Sequence, residues 1–104
     1  MTRHFNGLSP AEAERLAMLI EECGEIITAA TKVLRHGYES RHPLADDRTN
    51  RDDLDREIED VLAVVQEMRI NGDIDPRRPS TEDLFDRWES KERWTHHQGA
   101  EVAE

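Results

Sequence analysis

Glu21-Glu22-Cys23-Gly24-Glu25 and Glu57-Ile58-Glu59-Asp60 are the stretches whose reading decides the fold. Each lies inside a long run with helical periodicity. Residues three or four apart on an α-helix share a face. Glu22 and Glu25 have that spacing, and so do Glu57 and Asp60, so each pair aims two carboxylates at one place. In the first run Leu16, Ile20, Cys23, Ile27, Ala30 and Leu34 alternate at four and three residues, making one continuous apolar row. Leu19, Ile26 and Val33 form a second row that widens it. At ~100° per residue, Glu22 falls at the edge of the widened arc and Glu25 lies further round. The small side chain of Ala29 projects between them and leaves room for a ligand; Met18 projects there too and is read as packing on a neighbouring helix.

In the second run the apolar face is Leu54, Ile58, Val61, Val64, Val65 and Met68. Glu57 projects inside that arc and Asp60 sits at its edge. A carboxylate on a core-facing arc is costly unless it is paired, protonated or bound to metal. Two carboxylate pairs beside two apolar faces gather like charge, which a divalent cation relieves. An arginine reaching Glu57 across the bundle is the competing account. Glu21, Glu59 and Glu67 point away from the apolar rows and read as a solvated face.

Outward from these stretches the pattern predicts an all-α fold: two long antiparallel helices and a shorter C-terminal one. Ser9-Pro10-Ala11-Glu12 is a helix start with a capping box, and the helix should run from about Pro10 to Arg35. Gly37 is expected to close it in the left-handed conformation. Lys32, Arg35 and His36 lie in the last turns, where the helix dipole favours positive charge. Lys32 also projects near the side of Glu25, so Lys32 and Arg35 are candidates for phosphate contact. Tyr38 to Thr49 is a long polar connection, with a helical turn expected near Pro43-Leu44. Asn50 is expected to cap the second helix, which should end at Asn71-Gly72. Ser80-Thr81-Glu82-Asp83 opens a third helix to about Trp94, with Leu84, Phe85 and Trp88 on one side. No segment alternates as a strand does, and no glycine-rich phosphate loop is present. Glu-x-x-His, which a di-iron bundle would place on its helices, occurs as Glu39 to His42 in the loop.

The 104 residues allow one small domain, taken as residues 1–95, followed by a flexible tail over 96–104 that includes His96-His97. Hydrophobic residues make up 36% and aromatic residues 5%, which gives a monomer only a modest core. The helices carry more apolar face than they can cover alone, so a homodimer or homotetramer is expected. The net charge of −10 argues against a nucleic-acid binder and against docking on anionic membranes. No apolar run has membrane-spanning length or signal-peptide form, so a cytoplasmic protein is expected. The lone Cys23 reads as a small buried hydrophobe.

Together, Glu21-Glu22-Cys23-Gly24-Glu25 and Glu57-Ile58-Glu59-Asp60 resemble the EExxE…ExxD pattern of the MazG-like all-α nucleoside triphosphate pyrophosphohydrolases. Lys32-Val33-Leu34-Arg35-His36-Gly37 is similar to the segment after the first motif in small single-domain members. The likeness spans roughly Leu8 to Met68; the stretch between the motifs, Ile26 to Arg56, is somewhat longer than is usual. The resemblance implies a helical bundle completed by oligomerisation. It also implies hydrolysis of nucleoside triphosphates, deoxy forms included, to a monophosphate and pyrophosphate. It makes Glu22, Glu25, Glu57 and Asp60 ligands of Mg²⁺, with Mn²⁺ as a substitute, and Glu21 and Glu25 candidate catalytic bases. Larger relatives hold phosphates with basic residues of a later helix, a place that Arg87 and Lys91 can fill here. Phosphoribosyl-ATP pyrophosphohydrolase activity, from a related fold, and a non-catalytic helical dimerisation module are the rival readings.

Overall fold

The computed structural model describes residues 6–44 and 47–99. Three helices follow one another: α1 (Pro10–His36), α2 (Asn50–Ile70) and α3 (Thr81–Glu92). Among the described residues there is no strand, only an isolated antiparallel bridge between Arg41 and Thr49. The chain divides into two compact units, Met1–Ile74 with α1 and α2, and Asp75–Glu104 with α3. Much of the expected lead-in (residues 1–5) and the end of the expected tail (residues 100–104) lie outside the described residues.

Each helix begins with a reciprocal capping box. The Ser9 hydroxyl accepts from the Glu12 amide at 3.1 Å, and the Glu12 carboxylate accepts from the Ser9 amide at 2.8 Å. α3 starts in the same way with Ser80 and Asp83, as its sequence predicts. α2 differs from expectation: Thr49 is its cap, in a box with Asp52, and Asn50 is its first helical residue. Thr49 wins because Asp52 stands at the position that completes the box. The Asn50 amide is thereby released, and its Nδ2 donates to the carbonyls of Gly37 at 3.1 Å and Lys32 at 3.4 Å. That amide ties the start of α2 to the end of α1. Gly37 takes a positive φ of 87°, but with ψ of 163° it leads into extended chain and not into the left-handed helical region. Only glycine adopts that backbone readily. Pro43 and Leu44 form a turn without a helix, and α3 stops at Glu92, short of Trp94.

α1 and α2 pack as an antiparallel hairpin. Leu19, Glu22, Ile26, Ala29 and Val33 of α1 are half-buried or buried, as are Leu54, Glu57, Val61, Val64 and Met68 of α2. The buried apolar centre is Ala29, Val64 and Met68. The row of α1 that packs is therefore the narrower one, Leu19, Ile26 and Val33. Most of the longer row faces outward, with Ile20 73%, Ile27 68% and Leu34 87% exposed. Cys23 lies on that outward row and is exposed, which corrects its reading as a buried residue. The reason is that α1 is apolar over two adjacent stripes while one partner helix covers only one. Polar ties select the stripe. Arg15 falls in the packed row, and its guanidinium makes a bidentate contact with Asp73, just after α2, at 2.5 and 2.9 Å. On α2, Ile58 and Leu62 are left exposed in the same way.

In the second unit Leu84, Phe85 and Trp88 are all exposed, and no residue of α3 is buried. Arg78 pairs with Asp83 at 2.9 Å beside the α3 cap. Among the described residues, no helix is long and apolar enough to cross a membrane.

Asn50 is 7% exposed, and replacing it removes two hydrogen bonds and strands two carbonyl groups. Asn50→Ala is expected to cost about 2 kcal/mol, read as a lower urea midpoint at unchanged slope.

Candidate metal centre

The antiparallel register sets Glu22 of α1 against Glu57 and Asp60 of α2. One carboxylate oxygen from each of these three residues lies within 4.8 Å of the others. Glu22 and Glu57 are half-buried and Asp60 is exposed. Glu57 thus occupies the packed face, as its position in the apolar arc predicts. Among the described residues no salt bridge engages the three acids, so the arginine partner weighed for Glu57 is not there. The cost of the arrangement appears at Glu22. Partial burial, then the negative charges of Asp60, Glu57, Glu21 and Glu25, push its pKa above the usual carboxylate value.

Glu25 is not in the trio. It is exposed and lines an adjoining hollow of about 200 Å³ with Thr28, Lys32, Arg48, Asp53, Arg56 and Glu57. Glu57 therefore serves both places, joining the trio on one side and this hollow on the other. Ala29 also lines the hollow, so its small side chain leaves space there, while Met18 is largely exposed. Glu21 is exposed and touches the site only through its charge on Glu22. Beyond the hollow lies a cavity of about 280 Å³ lined by Lys32, Arg35, His36, Arg41, His42 and Asn50, among others. The candidate phosphate ligands Lys32 and Arg35 sit there, and Lys32 lines both spaces. Lys91, the remaining candidate, belongs to α3 in the second unit.

Arg48, Arg56 and Arg41 were not legible as site residues. Arg56 directly precedes Glu57, and its place beside the acids could have been read from helical spacing. Arg41 and Arg48 come from the connection between the helices, where no periodicity guides a reading.

A set of three carboxylates and no nitrogen or sulphur donor suits a hard divalent cation such as Mg²⁺, which takes oxygen ligands and keeps several waters. The raised pKa of Glu22 reports burial first and then repulsion from the neighbouring acids, and such an ion would relieve the second. No family model, curated protein or solved structure matches the chain.

The folded-state pKa of Glu22 is raised, so the metal-free fold disfavours the charged form. The penalty is absent below the ordinary value of 4.5, grows as pH rises from there through the folded-state pKa, and is complete above it. Glu22→Gln should therefore raise the metal-free melting temperature at neutral pH. The gain should vanish below pH 4.5, as thermal melts across that range would show.

Proposed function

We propose that the chain is a Mg²⁺-dependent nucleoside triphosphate pyrophosphohydrolase of the MazG-like kind, with deoxynucleoside triphosphates among its substrates. The observation that carries the reading is the convergence of Glu22, Glu57 and Asp60 from two helices. They are three of the four residues that the sequence resemblance makes metal ligands, and they adjoin a hollow lined with basic side chains. These three acids would hold the ion, with Glu25 at the rim of the neighbouring hollow. When bound, Mg²⁺ supplies positive charge against phosphate oxygens and makes a coordinated water more acidic.

The chain itself does the positioning. Lys32, Arg48 and Arg56 offset phosphate charge that the acidic protein would otherwise repel. Water attacks the α-phosphorus, the bond to the α–β bridging oxygen breaks, and pyrophosphate departs with that oxygen. Glu25 is better placed than Glu21 to take the proton, because Glu25 lines the hollow and Glu21 does not. The substrate is then a free nucleotide in the cytoplasm, with neither nucleic acid nor membrane as partner.

The same reading makes the protein a homodimer or homotetramer. Three buried apolar side chains form a small core for the described chain. The outward row of α1 is exposed, as are Ile58 and Leu62 of α2, and a second copy of the chain would cover such surface.

A panel of NTPs and dNTPs, with phosphoribosyl-ATP included, tests the reaction by product identity. Monophosphate and pyrophosphate should form with Mg²⁺ and not with chelator. Glu57→Ala should reduce turnover to background while the metal-free fold stays as stable or gains stability. Absence of these products from every nucleotide, with a folded wild type, would overturn the reading. Sedimentation tests the assembly: the paired substitution Ile20→Ser and Ile27→Ser should convert an oligomer to monomer.

A further inference from the structure

The cavity beyond the metal centre is basic in a protein that is strongly acidic. Lys32 and Arg35 reach it from the last turns of α1, and Arg41 from the following loop. Among the described residues none of these three makes a salt bridge, in a chain with 24 acidic and 14 basic Lys and Arg side chains. The dipole of α1 accounts for positive charge at Arg35 and His36. It does not account for Arg41 and His42, which lie on a separate segment that turns back along the start of α2.

That segment is built and fixed. The backbone of Arg41 bridges to that of Thr49, the Asn50 backbone N–H donates to the Ser40 carbonyl at 2.9 Å, and the Arg51 backbone N–H donates to the Tyr38 carbonyl at 2.9 Å. Arg51 also lies over the Tyr38 ring at 4.4 Å and pairs with Glu39 at 2.7 Å. The floor is the buried Asn50, whose side chain occupies two carbonyls at the end of α1 that would otherwise oppose an anion. Asp53 is the acid in the lining, and Arg48 stands 3.8 Å from it.

We infer that this cavity is an anion site that receives the terminal phosphates of a triphosphate and so makes the protein prefer triphosphates to diphosphates. The cavity shares Lys32 and Asp53 with the hollow beside Glu57, so one extended polyanion can occupy both. The identity of the anion rests on the proposed pyrophosphohydrolase reading; the anion site itself does not.

Inorganic pyrophosphate is the probe, titrated calorimetrically into metal-free protein with chelator present. A protein of net charge −10 has no general attraction for it, so binding must be local. Wild type should bind, and Glu57→Gln should bind equally, since the acidic trio is not needed. Arg35→Ala with Arg41→Ala should weaken binding by about tenfold for each contact removed. Amide shifts of the wild type should move at residues 35–43 and at Asn50, a readout that does not depend on the variant folding. No binding, shifts elsewhere, or equal affinity in the double variant would overturn the site. In turnover, the double variant should raise KM for a triphosphate more than it raises the inhibition constant of the matching diphosphate; equal changes would overturn the preference. Pyrophosphate binding without hydrolysis of any nucleotide would keep the anion site and remove the triphosphate. Hydrolysis with unaltered KM in the double variant would do the reverse.

Discussion

The register between α1 and α2 is the constraint on which the rest of the first unit depends. It is pinned at both ends by polar contacts rather than by a large core. At one end the Asn50 amide holds the last carbonyls of α1. At the other, Arg15 clasps Asp73. Apolar rows on straight helices can slide by a turn at modest cost, because one methyl group replaces another. A two-carbonyl amide contact and a bidentate ion pair cannot. With both ends fixed, Glu22 must face Glu57 and Asp60, although their mutual repulsion opposes it. The frame tolerates that repulsion.

Much of this was legible from residue order. The helix starts at Ser9 and Ser80 and the inward direction of Glu57 follow from capping chemistry and helical spacing. Three features did not. Asn50 looked like a cap because it is a good capping residue, yet Thr49 has the partner that completes the box. The packed stripe of α1 is ambiguous in the sequence because two apolar stripes lie side by side, and the deciding contacts involve Arg15 and Asp73, which are 58 residues apart. Arg41 and Arg48 lie in a loop whose course depends on backbone contacts with α2. Spacing within helices is local information; which stripe packs and where a loop returns are not.

The distribution of charge carries the functional argument further than its total does. A net charge of −10 describes a protein that repels nucleotides. Yet Lys32, Arg35, Arg41, Arg48 and Arg56 gather around two joined spaces next to the acidic trio. Glu25, Asp53 and Glu57 line the first of these spaces together with the bases, a mixture suited to the proposed pairing of a cation with a polyphosphate.

The Arg15–Asp73 contact also makes the hairpin mechanically uneven. Arg15 holds the Asp73 carboxyl below its ordinary pKa by hydrogen bonding and by charge, against the opposing effect of burial. The stability from this clasp is therefore present above the ordinary carboxylate range and is lost as acid protonates Asp73. At the loop end the Asn50 amide carries no titratable proton, although the Asp52 carboxyl of the α2 cap is likewise held below its ordinary pKa by its bonds to Thr49. Only below the ordinary carboxylate range would the clasped end loosen while the Asn50 amide still holds the other, like a pair of tongs. Backbone amides near Arg15 and Met68 would then exchange with solvent before those near Val33 and Leu54.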